Sequence, residues 1–167
     1  MLALFKSKPL LEQAEQQWLI DTFIWAVEYF DAAFFTKHTQ IILPTVAHFP
    51  DSVSSIEEMA TKVFVRVRDY AGMSAWPIQL VAPQQLQPQV FPHFEFAEHL
   101  RGEQSQLIVP PSHTINISFN PNQINQPQDL VASFAGTLAT VLIHHVGVLP
   151  PGGKDYLPQA ADALACF

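Results

Sequence analysis

The sequence predicts one α+β domain, residues 1–167, with about four helices around a small mixed or antiparallel sheet. Three stretches place apolar residues at three- and four-residue steps, near 10–35, 56–67 and 128–148. Between them stand short β-branched runs at 39–43, 78–81 and 114–119, bounded by proline, glycine or asparagine. A chain of 167 residues can bury roughly 70% of the surface its unfolded form exposes, enough for a single core. No internal repeat and no linker divides it.

In the first stretch Trp18, Leu19, Phe23, Ala26, Val27 and Phe30 share a face, with Glu12, Glu15, Asp21 and Glu28 elsewhere, so one amphipathic helix is expected over 10–35. Its aromatics Trp18, Trp25, Phe30, Phe34 and Phe35 read as core, because aromatic side chains carry the largest burial energies. The run TQIIL at 39–43 reads as a strand stopped by Pro44. Ser54 or Ser55 with Glu57 or Glu58 can cap the second helix, and Gly72 suits its end. Residues 78–81 read as a strand and 83–92, which lack periodicity, as a loop. Residues 107–109 and 114–119 form an expected hairpin turning near Pro110, Pro111 and Ser112. Pro127 and Asp129 suit the start of a helix that is apolar almost all round, which predicts burial on most sides. Pro150, Pro151, Gly152 and Gly153 end it, and Pro158 opens a last short helix through Ala160, Asp162, Leu164 and Phe167.

Composition narrows the function. Hydrophobic residues make up 49% of the chain and charged ones 14%, the latter well below the usual value of about 25%. The surface must therefore rely on neutral polar groups, and the apolar excess is compatible with a homo-oligomer. A net charge of −7 with eight scattered Lys and Arg offers no basic stripe for a phosphate backbone, so no nucleic acid partner is expected. The single cysteine, Cys166, rules out an internal disulfide, fits a reducing compartment and reads as a small buried hydrophobe. Met1, Leu2, Ala3, Leu4 and Phe5 are cut short by Lys6, Lys8 and Pro9 before they reach the length of a signal-peptide core. No uninterrupted apolar run approaches the roughly 18 residues of a membrane span, so a soluble, cytoplasmic protein with no membrane partner is expected.

The informative segment is LVASFAGTLATVLI at 130–143. It has the frame L-V-A-x-x-A-H-E-L-A-H-x-L-L of a zinc-protease active-site helix. Gly136 stands at the first His position, Thr137 at the Glu position and Thr140 at the second His position, with Ala135, Leu138 and Ala139 retained. With WLIDTF at 18–23, the LPT to HFPD segment at 43–51 and RDYAGM at 68–73, the chain resembles a family of uncharacterised bacterial proteins related to zincin-type metallopeptidases. That resemblance implies a reduced zincin-like domain whose third metal ligand is an acidic residue on the following helix. The matching stretch, PQAAD at 158–162, retains at best Asp162, with Pro158 where a Glu might stand.

A zinc site needs two imidazoles one helical turn apart and a carboxylate beside them to take a proton from metal-bound water. Two hydroxyls and a glycine supply neither, and one carboxylate holds Zn²⁺ too weakly, so the expectation is no metal, no cofactor and no catalysis by this route. Thr137 and Thr140 can instead return their hydroxyls to carbonyls one turn back, and Gly136 admits a close neighbour. A second register sets His144, His145, Val146, Gly147 and Val148 against H-E-x-G-H; it leaves His144 alone and loses the match at 130–135. Adjacent helical residues point about 100° apart, so His144 and His145 are expected to stand as a solvated or satisfied pair near a helix C-terminus. They remain pocket candidates, since His38, His48, His93, His99 or His113 could meet His144 in space. Glu95, Glu98 and Glu103 read as solvated acids. Six glycines make no phosphate-binding pattern.

The resemblance thus implies a pseudoenzyme, catalytically inactive, that binds a protein or peptide along its sheet edge or through the apolar groove a protease would use. The alternative is a small-molecule binder, or an enzyme of different chemistry, using His and Glu residues in the vestigial cleft.

Overall fold

A computed structural model describes residues 10–108, 112–124 and 126–167. The apolar run Met1 to Phe5, and Val109, Pro110 and Pro111 of the expected hairpin, lie outside the described residues. Helices α1 (Gln13–Tyr29), α2 (Ala32–His38) and α3 (Ile56–Tyr70) precede strand β1 (Ile78–Leu80); strand β2 (Ile115–Ile117) precedes helices α4 (Pro127–Val146) and α5 (Leu157–Cys166). The mixed α and β character is as expected, but the described residues hold five α-helices, and the sheet is parallel.

The extra helix arises because the 10–35 stretch breaks in two. Asp31 takes a left-handed conformation, φ 71° and ψ 81°, which aspartate tolerates better than most residues because its short polar side chain bonds locally. Here Asp31 Oδ1 accepts from the Phe34 N–H at 3.1 Å and starts α2. Residues 39–43, expected as a strand, have no ladder partner among the described residues and run exposed or half-exposed beside the helices. β-branched composition makes a strand only where a neighbour supplies hydrogen bonds.

The pairing error has a related cause. Ile115 does not turn back on Leu107 or Ile108; β2 pairs in parallel with β1, Ile78 opposite Ile115 and Leu80 opposite Ile117. Leu107 instead bridges antiparallel to Phe96, with Ala97 N–H donating to Gln106 O at 2.9 Å. A parallel pair needs a long crossover, and the irregular segment between Leu80 and Ile115 provides it.

Helix α4 forms the spine, with α3 and α5 packed against it and α1 against α5. Leu130, Phe134, Leu138 and Val141 are fully buried, and Phe134 meets Phe64 of α3 edge-on at 5.5 Å. Ala139, Leu142 and Ile143 carry the buried surface round to the far side of the helix, and Ser133 and His144 mark the exposed strip that remains, so α4 is buried over most of its circumference, as expected. By length and composition α4 could cross a membrane, and 39% of its apolar window is buried in the protein. Trp25 and Phe30 join the core as expected, whereas Trp18, Phe34 and Phe35 are only half-buried. Cys166 is exposed, against the expected burial: it is the last residue of α5, on the side away from Ala160, Ala161 and Leu164, the residues that α5 buries.

Candidate functional site

The start of α4 is made by Gln126, whose N–H donates to Asp129 Oδ2 at 3.1 Å, with Pro127 in the first turn. Gly147 ends it at φ 73°, its N–H returning to Ile143 O at 3.0 Å. Between these ends Thr137 Oγ1 donates to Ser133 O and Thr140 Oγ1 to Gly136 O, each at 2.8 Å. The one donatable proton of each hydroxyl is therefore spent on its own helix. Gly136 faces α5: a Cβ built there would stand 3.9 Å from Asp162 Oδ1. Two residues 26 apart are thus brought together. The donor set at these four positions is one exposed carboxylate and two committed hydroxyls, and it does not fit Zn²⁺, which a lone carboxylate without imidazole or thiolate partners does not hold. Among the described residues no group of three or more His, Cys, Asp or Glu side chains is placed to hold a metal ion.

His144 and His145 diverge, as adjacent helical residues must. The exposed His144 ring stacks on Phe91 at 5.1 Å with planes 12° apart. His145 enters an aromatic box of Trp76, Phe94 and Phe96 and stacks on His93, centroids 4.9 Å apart. A loop histidine does approach the pair, but it approaches His145. The Nδ1 atom of His145 is buried without a hydrogen-bond partner. Burial first, and the neighbouring His93 second, push its pKa down to about 4, so the ring is neutral at pH 7. Glu95 and Glu98 are exposed, while Glu103 lines a cleft of about 160 Å³ with Asp31, His99 and Arg101. There His99 Nδ1 lies 3.3 Å from Asp31 Oδ2, a buried carboxylate oxygen with no hydrogen-bond partner among the described residues.

Two arrangements were missed in the sequence. The first is at the outer edge of β2. Parallel pairing turns the N–H and C=O of Asn116 away from β1, and the Gln89 side-chain amide takes both: Asn116 N–H donates to Gln89 Oε1 at 2.9 Å, and Gln89 Nε2 donates to Asn116 O. One side chain thereby reproduces the donor and acceptor of a neighbouring strand. A polar cleft of about 450 Å³ adjoins it, lined by Gln87, Pro88, Val90, His113 and Thr114 among others.

The second is a groove of about 430 Å³ walled by Phe34, Ile42, Val67, Leu138, Leu142 and Phe167, with Arg101 the one charged side chain in its lining. Leu138 and Leu142 lie on the opposite side of α4 from Thr140, so this groove is not the cleft that the motif would have served. Arg101 Nε and Nη2 both donate to the carbonyl of Phe30, at 3.0 and 2.7 Å, capping α1, and its guanidinium lies 4.6 Å over the Phe34 ring. Burial pushes its pKa down to about 10, with Asp31 acting in the opposite direction.

Set beside known proteins, the chain matches no family model, no curated protein and no solved structure. The sites therefore rest on geometry alone. A glutamine between prolines and a lone arginine carry no local signal; their partners, 27 and 71 residues away, are what make them functional candidates.

Proposed function

We propose that the chain is a catalytically silent relative of zinc metallopeptidases that binds an extended peptide or protein segment along the outer edge of β2. The observation that carries this reading is the Gln89 amide on Asn116, a stand-in for the peptide group of an added strand. Strand addition to an open edge draws its affinity from main-chain hydrogen bonds, and an edge held by one side chain is exchangeable. The neighbouring polar cleft gives such a segment room. Silence is supported by the spent hydroxyls of Thr137 and Thr140 and by Gly136 beside Asp162. A soluble, cytoplasmic setting belongs to the same proposal and is supported by the exposed thiol of Cys166, which persists where thiols are kept reduced.

The test is selection of linear peptides from a random display library on the purified chain. Selected peptides are expected to bind Gln89→Ala more tightly, because nothing has to be displaced, and to lose binding to Asn116→Pro. Proline is tolerated at that edge because the Asn116 N–H points away from β1. Peptides indifferent to both variants, or zinc at one equivalent with chelator-sensitive peptidase activity, defeat the proposal.

A second reading, a small-molecule binder, is supported by the apolar groove that holds Arg101.

A further inference from the structure

We infer, building on the small-molecule reading of the groove, that the chain binds a medium-chain alkyl carboxylate there, its chain along α4 and its carboxylate on Arg101. Cations withdrawn from solvent are ordinarily paired with an anion. Arg101 has no carboxylate within ion-pair distance among the described residues, and Asp31 acts on it only at longer range. Its partners are the Phe30 carbonyl and the Phe34 ring. Those contacts engage Nε and Nη2 and hold the guanidinium plane fixed, while Nη1 donates to no described residue. A fixed, always-charged fork with a free edge suits a carboxylate, because the geometry is set before the ligand arrives.

The walls select the rest of the ligand. Leu138, Leu142, Val67 and Phe167 offer dispersion contact and no hydrogen bonds, the Tyr70 hydroxyl is already committed to His48 O at 2.9 Å, and the exposed Thr39 and Gln40 are the polar side chains that remain. A peptide laid along the apolar walls would leave most of its amides unsatisfied, whereas a methylene chain has none to satisfy. The small-molecule source is therefore favoured over a peptide, which the β2 edge suits better.

Calorimetric titration of the full chain with octanoate, decanoate and 1-decanol tests the inference. Affinity is expected to rise roughly fourfold per added methylene between the two carboxylates. Decanoate is expected to bind at least about tenfold more tightly than decanol. Arg101→Gln is expected to bring decanoate down to the decanol level and leave decanol unchanged. Since Arg101 also caps α1, Ala135→Phe supplies an independent variant: it fills the groove from α4 without touching the cation and is expected to abolish binding of both ligands. Peptide capture at the β2 edge by Ala135→Phe is expected to persist, which separates the two sites. The inference is overturned if decanoate shows no binding at about 1 mM, if decanol equals decanoate, or if Ala135→Phe binds undiminished.

Discussion

His93 and His145 stack face to face, 4.9 Å apart with ring planes 10° from parallel, and Trp76, Phe94 and Phe96 surround the His145 ring. One ring comes from a proline-flanked loop and the other from the last turn of α4, so their contact ties the irregular crossover to the spine. Its consequence is electrostatic. Two protonated imidazoles at this distance repel, and among the described residues no carboxylate is paired with His145.

The expected outcome is an acid-sensitive fold. The folded pKa of His145, about 4, lies below the ordinary 6.5. Between those values the unfolded chain binds the extra proton, so stability falls as pH falls through that window and is level above it for this ring. Solvent on the open side of the ring screens the effect to about 1–2 kcal/mol. Urea midpoints at pH 4.5 and pH 7 measure it, and His145→Phe should remove that part of the slope; an unchanged slope means that other groups carry it.

Gly136 and Asp162 lead to a second expectation. If the juxtaposition across α4 and α5 is the frame of a lost metal site, Gly136→His with Thr140→His places two imidazoles one turn apart on the side that Asp162 approaches. The double variant should retain about one equivalent of zinc after dialysis and lose at least about tenfold in affinity on adding Asp162→Ala. A double variant that holds no zinc removes the support that this frame lends to the metallopeptidase resemblance.

Gly72 packs closely against Phe34, one wall of the apolar groove. At φ 69°, a Cβ there would lie 2.5 Å from Phe34 Cε2 and 2.7 Å from the Gly102 backbone nitrogen, which donates to Gly72 O at 2.7 Å. Gly72→Ala should cost about 3 kcal/mol, from left-handed strain and overpacking together, read as a lowered urea midpoint. A cost below about 0.5 kcal/mol would show that Phe34 swings away freely, and the groove wall would then not be preformed.

How much of this was legible residue by residue depends on the range of the interaction. The cap at Ser55, whose Oγ accepts from the Glu58 N–H at 3.1 Å, the turn at Gly72, the Gln126–Asp129 start of α4 and the Thr137 and Thr140 back-bonds all involve residues within five of one another. Each was readable from spacing, because a helix brings only near neighbours together. The divergence of His144 and His145 was readable for the same reason. The break at Asp31 was not, although its cap is equally local: aspartate at that position also reads as an ordinary polar residue on a helix, and nothing in the apolar spacing of 10–35 marks a left-handed residue.

Local order, then, was written in the chain: where helices begin and end, which faces are apolar, and that the 136–140 turn lacks metal-binding groups. Tertiary packing alone chose the parallel partner of β2, the Gln89 amide on Asn116, the Arg101 cap on Phe30 and the exposed side of α5 that carries Cys166. The physical reason is that periodicity reports how much of a segment is buried but not against what. Hydrogen-bond and charge partners tens of residues apart are settled only when the whole core closes.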